Sequence, residues 1–122
     1  MKLLIVDDSN VIRQRIARLA GDTHLPDMEI VGQARNGAEA LQLFMRYRPG
    51  LVTMDLTMPE LGGVECTEQI AAIDDNVNIL VVSALSDKAT AITALKKGAR
   101  GFLYKPFTDD QLVEALLEML PQ

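Results

Sequence analysis

Five residues share one setting: each stands just past a short apolar run and carries a side chain able to do chemistry. Asp7 and Asp8 follow Leu3–Val6, Asp55 follows Leu51–Met54, Ser83 follows Val77–Val82, and Lys105 follows Gly101–Tyr104. Two carboxylates about 4–5 Å apart repel by about 3–4 kcal/mol at an effective dielectric near 20. A fold that gathers three of them therefore needs compensating cations. Lys105 supplies one, and a divalent metal is the natural second. The candidate ligands are all oxygens, with no histidine among them, which favours Mg²⁺, an ion that keeps several waters and bridges to phosphate. Such a site suits phosphoryl transfer, where positioning and charge neutralisation do most of the catalysis. The acceptor would be a carboxylate nucleophile. Asp55 is the candidate, because Asp7 and Asp8 would be engaged with metal.

Other acid pairs in the chain serve as controls. Asp74-Asp75 falls in a turn before the fourth apolar run, where solvated acids belong. Asp109-Asp110 falls in the first turn of the last helical segment, where negative charge complements the helix dipole. Only Asp7-Asp8 directly follows a buried run. Alone it reads equally well as a helix-capping region, and Asp55 shifts the balance.

The elements that position these residues alternate regularly. The apolar runs Leu3–Val6, Met28–Ala34, Leu51–Met54, Val77–Val82 and Gly101–Tyr104 mostly lack polar alternation, as expected of strands covered on both faces. Between them lie helical stripes: Ile12, Ile16, Leu19 and Ala20, with Arg13, Gln14 and Arg18 pointing elsewhere; Leu41, Phe44 and Tyr47; Cys66, Ile70 and Ile73; Ile92 and Leu95, ended by Gly98; and Leu112, Leu116 and Leu120. Thr108 and Gln111 fit a capping box, with Phe107 and Leu112 placed as a staple. Asn36 and Glu39 give a similar start, and Pro49-Gly50 a stop. The pattern is (βα)₅, which folds as a doubly wound α/β domain of three layers. In such sheets ligands bind beyond the carboxyl ends of the strands, where the five reactive residues stand. With no internal repeat, low-complexity tract or linker, residues 1–122 are expected to form a single domain.

Composition narrows the function classes. Of 122 residues 48% are hydrophobic and 24% charged, the balance of a globular domain. Seventeen acids oppose twelve bases, a net charge of −5, which argues against direct nucleic-acid binding. The single cysteine, Cys66, excludes an internal disulfide and a zinc ribbon, and its place on a helical stripe points to core packing. No signal peptide or membrane span is evident, so a cytoplasmic location is expected. Residues 1–48 carry seven bases against six acids, and residues 49–122 five against eleven. Arg13, Arg15 and Arg18 with Val11 offer a candidate docking face for a phosphodonor, an ordinary solvated face being the equal alternative. His24, before Pro26, reads as solvated and Tyr104 as a surface aromatic.

The segments Leu4-Ile5-Val6-Asp7-Asp8-Ser9, Asp55-Leu56-Thr57-Met58-Pro59-Glu60-Leu61-Gly62-Gly63, Val82-Ser83-Ala84 and Tyr104-Lys105-Pro106-Phe107 match a known family in order and spacing. Over essentially its whole length the chain resembles the receiver domains of two-component response regulators, the CheY-like superfamily. The resemblance implies a flavodoxin-like fold with sheet order 2-1-3-4-5. It implies that Asp55 accepts a phosphoryl group from a histidine kinase's phosphohistidine or from acetyl phosphate. It further implies that Asp8, Asp55 and the backbone carbonyl of Thr57 ligate Mg²⁺, with Asp7 acting mostly through water. Lys105 would pair with phosphoryl oxygens, Pro106 would follow a cis peptide, and the Ser83 hydroxyl and Ala84 amide would bind the phosphoryl group. Phe102 would be the aromatic switch, moving inward as Ser83 is drawn to the phosphate. Ser83 stands where threonine is commoner in the family, Phe102 lacks a tyrosine's hydroxyl, and Thr57 and Leu85 occupy positions that tune dephosphorylation.

The implied function is a phosphorylation-dependent signalling switch that catalyses only its own aspartyl phosphorylation and dephosphorylation. Its implied partners are a sensor histidine kinase or phosphotransfer domain and a downstream protein target, and its state a monomer or weak dimer. Chemotaxis, a phosphorelay, or a receiver excised from a longer DNA-binding regulator are all compatible. A phosphorylation-independent receiver-like binding module is the alternative, but such modules normally lack an acid or the lysine. A metabolite phosphohydrolase would want an acid at Thr57, and a flavodoxin a hydroxyl- and glycine-rich loop in place of Asp7-Asp8-Ser9-Asn10.

Overall fold

The computed structural model describes residues 1–58 and 61–120; Pro59 and Glu60 of the second motif lie outside the described residues. Strands β1 (Lys2–Val6), β2 (Glu29–Ala34), β3 (Leu51–Met54), β4 (Asn78–Ala84) and β5 (Gly101–Lys105) alternate with helices α1 (Asn10–Leu19), α2 (Gly37–Tyr47), α3 (Gly63–Ile73), α4 (Lys88–Lys97) and α5 (Asp109–Met119). The sheet is parallel with order β2-β1-β3-β4-β5.

Side-chain alternation along the strands splits the interior into two cores. Leu4, Val6, Val52, Met54, Ile79 and Val81 face α2, α3 and α4, and pack with Phe44, Cys66, Ile70, Ala91 and Ala94. Leu3, Ile5, Leu51, Leu80 and Val82 face α1 and α5, and pack with Ile16, Leu19, Leu112 and Leu116. The three-layer arrangement is the one the sequence pattern implies: the strand Leu51–Met54, which lacks polar alternation, is buried at every position, Thr53 included.

Helix starts follow their caps. The Ser9 hydroxyl accepts from Ile12 N at 3.3 Å, Asn36 Oδ1 from Glu39 N at 2.9 Å, and Thr108 Oγ1 from Gln111 N at 3.1 Å. Gln111 Oε1 in turn accepts from Thr108 N at 2.9 Å, completing the capping box. Glu39 instead accepts from Arg35 N at 2.8 Å, so the second start is a simple Asn cap with an adjoining acid.

Several boundaries differ from the sequence reading. The end of α2 is made by Arg48 in the left-handed region (φ 48°), ahead of Pro49-Gly50. Strand β4 extends to Ala84, placing Ser83 inside the strand, and a 3-10 turn at Leu85–Asp87 precedes α4. The expected α4 stripe is a poor guide to packing: Ile92 is 45% exposed, and the helix buries Ala91 and Ala94. Ile73, the last residue of the third stripe, is exposed as well. Ile73 is the last residue of α3, whereas Ile92 stands mid-helix on the face turned away from Ala91 and Ala94.

Candidate functional site

Strand register brings the predicted residues to one edge of the sheet. Val6 pairs with Met54 and Met54 with Val81, so the chain leaves β1 and β3 side by side, and Asp55 N donates to Val6 O at 2.9 Å. Ala84 pairs with Lys105 on the far side. Carboxylate oxygens of Asp7, Asp8 and Asp55 lie within 4.8 Å of one another. Asp7 and Asp55 are buried and Asp8 is exposed, so the cluster is a pocket with one open side.

Asp7 is held at every polar atom. Its N–H donates to Ala34 O at 3.0 Å, its carbonyl accepts from Arg13 Nη1 at 2.7 Å, and its carboxylate accepts from Ser9 N and Lys105 Nζ, both at 2.9 Å. Lys105 Nζ also lies 3.6 Å from Asp55 Oδ1. Burial, and next the charge of Asp7, push the Asp55 carboxyl up to about 6, against the pull of Lys105 and the Thr57 N–H. For Lys105 burial works against the charged form, but the hydrogen bond to Asp7 and the charge of Asp55 outweigh it and hold its pKa above the ordinary value. The pocket is thus short of positive charge.

That shortage is the test for a divalent cation. Three hard oxygen ligands, two buried and one exposed, with one of the buried carboxyls, Asp55, pushed toward protonation, fit Mg²⁺ better than a softer ion. Asp7, Asp8 and Asp55 would hold it.

On the β4 side the picture reverses. Ser83 is 1% exposed, and its hydroxyl has no hydrogen-bond partner among the described residues. A buried unpaired hydroxyl costs about 1–3 kcal/mol and calls for an explanation. Thr53 and Thr67 share that state, but Ser83 alone of the three stands at the carboxyl end of a strand beside the predicted site. Thr57 N donates to Asp55 Oδ1 at 3.3 Å, and Thr57 Oγ1 donates to Asp87 Oδ2 at 3.2 Å, tying the loop after β3 to the turn after β4. Gly63 lies so close beneath Asp55 that a Cβ there would collide with the Asp55 carbonyl and Leu56. The Lys105–Pro106 peptide is cis. Phe102 is 43% exposed, with its ring centroid 5.0 Å from that of the half-buried Tyr104.

Sequence reading missed the roles of two arginines. Arg13 does not point away from the interior: it is 8% exposed and donates to Asp7 O and Asn10 Oδ1. Arg15 lies 4.4 Å from the Phe107 ring centroid and donates to Phe107 O at 2.7 Å and Asp109 Oδ1 at 2.8 Å. The docking face drawn from Arg13, Arg15 and Arg18 therefore loses two members to internal bonds, leaving Arg18 and the 75%-exposed Val11. Spacing alone separates an apolar stripe from its complement, and a guanidinium satisfied by a backbone carbonyl crosses that line. Elsewhere, Cys66 is buried, with its thiol pushed up to about 12 by burial, and His24 is exposed beside Asp22. Among the described residues no helix is long and apolar enough to cross a membrane.

An open parallel sheet with acids, hydroxyl and lysine on its carboxyl edge is the architecture of a receiver domain. The family model for the response regulator receiver domain matches residues 3–117, and the chain belongs to that family. It is similar to the chemotaxis protein CheY of Listeria monocytogenes, 40% identical over 116 residues and covering 95% of each chain. Among solved structures it superposes on a LuxR-family two-component response regulator from Aurantimonas sp. at a TM-score of 0.87, with 31% identity, covering 97% of this chain and 83% of the other. It also matches the CheX–CheY–BeF₃–Mg complex of Borrelia burgdorferi at a TM-score of 0.89, with 26% identity, covering 100% of this chain and 90% of the other. The chain is thus a receiver domain of the kind used in two-component signal transduction.

Proposed function

We propose that Asp55 is the phosphoacceptor of a switch that is set by a histidine kinase or phosphotransfer protein and read by a separate protein. An Asp55 carboxylate oxygen attacks phosphorus and forms an acyl phosphate. The P–N bond of a phosphohistidine breaks with the imidazole as leaving group, or the P–O bond of acetyl phosphate breaks with acetate leaving. Asp7, Asp8, Asp55 and the Thr57 carbonyl would hold Mg²⁺, which when bound offsets the charge of the carboxylates and the transferring phosphoryl oxygens. Lys105, already 2.9 Å from Asp7 and 3.6 Å from Asp55, stabilises the charge gathering on those oxygens. Ser83 supplies its unspent hydroxyl, and the Ala84 amide a second donor.

Phosphorylation adds about one negative charge and new acceptor oxygens at Asp55. Ser83 turning toward them frees space on the β4 side, into which the exposed Phe102 ring moves, and the surface formed by α4, β5 and α5 changes shape. Residues 1–122 act as a single receiver domain without enzymatic activity on other substrates. The observation that carries this reading is the three-carboxylate pocket with Lys105 paired into it, beside a strand β4 whose Ser83 hydroxyl is unpaired among the described residues. That the Borrelia neighbour was solved with BeF₃ and Mg, a phosphoryl mimic and the expected ion, supports it. Incubation with acetyl phosphate and Mg²⁺ followed by intact mass measurement tests it. One added phosphoryl group is expected, absent in Asp55→Asn and with chelator; an unmodified wild type, or a modified Asp55→Asn, overturns the assignment.

A further inference from the structure

Among the described residues Arg13 is the one base the fold buries. Its position on α1 is unusual for a charge: the helix face it shares carries Ile16 and Leu19, both in the core. Burying a guanidinium forfeits hydration and about 2 kcal/mol of side-chain freedom, so a fold that keeps one must use its planar fork. Here one arm reaches Asp7 O at 2.7 Å, a buried bond, and the other reaches Asn10 Oδ1 at 3.2 Å.

The acceptor identifies the use. Asp7 O belongs to the peptide group joining Asp7 to Asp8, so fixing it fixes the orientation of that plane and the direction in which Asp8 leaves it. The Asp7 carboxylate is independently held by Ser9 N and Lys105. Asp8 is exposed, and its carboxylate makes no hydrogen bond or ion pair among the described residues, so its aim into the pocket is set by the backbone alone. We propose that Arg13 is a positioning residue for the divalent-cation pocket, aiming the Asp8 carboxylate by clamping the Asp7–Asp8 peptide from within α1. The inference rests on the reading of Asp7, Asp8 and Asp55 as a Mg²⁺ pocket. It makes α1 part of the site's frame on the metal side, as Arg15 ties the same helix to the loop after Lys105 through Phe107 O.

Groups that orient metal ligands are typically worth about 10–100-fold in metal affinity. The test is titration of the purified protein with Mg²⁺ by calorimetry, and with Mn²⁺ by electron paramagnetic resonance, without any phosphodonor. Arg13→Gln is expected to weaken binding about tenfold. Arg13→Lys keeps the charge but reaches one acceptor at a time, and is expected to fall between Arg13→Gln and wild type. Arg15→Gln, which breaks an equally large arginine network on the same helix, is expected to stay within about twofold of wild type. Wild-type affinity in Arg13→Gln, or an equal loss in Arg15→Gln, overturns the proposal. Should Arg13→Gln not fold, Arg13→Lys and Asn10→Ala decide: a two- to threefold loss of the order expected for one arm supports it, and unchanged affinity in both overturns it. Because no phosphoryl group is involved, Arg13-dependent metal binding in a protein that acetyl phosphate fails to modify would leave this inference standing and overturn the phosphoacceptor reading. Normal phosphorylation with Arg13-independent metal binding would do the reverse.

Discussion

The two sides of the pocket are built on opposite terms. On the β1 side every polar atom of Asp7 is engaged, by Ala34 O, Arg13, Ser9 N and Lys105. On the β4 side the Ser83 hydroxyl is buried without a partner among the described residues, Leu85 is 62% exposed, and α4 anchors itself through alanines. Rigid, satisfied groups hold a geometry, and unsatisfied groups over a shallow core are cheap to rearrange. The difference teaches where a signal can enter and where it can leave: in the proposed switch, charge is received on the fixed side, and shape changes on the loose one.

The sharpest way to break the comparison is at Asp55 itself. Asp55→Asn is expected to abolish phosphoryl acceptance by intact mass while leaving the fold intact by circular dichroism. The same variant probes the strain in the fixed side. Asp55 holds its proton more tightly folded, near pH 6, than unfolded, near 3.8. Metal-free stability should therefore fall as pH rises from about 4 to about 6, by up to about 3 kcal/mol, and stay lower above that. Urea unfolding across that range checks it; the fall should vanish in Asp55→Asn, and Mg²⁺ should offset it in wild type.

Ser83→Ala tests the loose side. Removing an unpaired buried hydroxyl should leave stability unchanged or raise it by up to about 1 kcal/mol. Acceptance from acetyl phosphate should slow about 10–100-fold, because a donor aimed at the phosphoryl oxygens is gone. A large loss of stability would show that Ser83 is structural. The smallest effect is expected at Phe102→Ala, within about 1 kcal/mol in stability, since the ring is 43% exposed and meets Tyr104 at its edge of the sheet. Its consequence should instead appear in binding of the output partner to the phosphorylated form.

The fixed side was also the more legible one in the amino-acid sequence. Apolar runs ending in Asp7, Asp8 and Asp55 declare both the parallel strands and the acids beyond them, because burial on two faces and reactivity at the strand end are local patterns. Thr108 to Gln111 declared the last helix in the same way, and the capping box is present. What depended on distant partners stayed hidden. Arg13 reads as a surface base until its carbonyl acceptor is seen, and Arg15 until Phe107 is brought from across the chain. The turn at Leu85–Asp87 and the bond from Thr57 to Asp87 arise from a loop-to-loop meeting that no periodicity announces. Ile92 stands in solvent in the middle of α4, because which face of a helix meets the sheet is a property of the whole fold.

The central claim, that one side of the pocket receives and the other responds, is tested most directly by amide hydrogen exchange with and without Mg²⁺ and beryllofluoride. The expected result is altered protection from Ser83 through α4 and along β5, with the amides of Ile5–Ser9 changing little. Changes spread evenly over the domain, or confined to the β1 side, would contradict it.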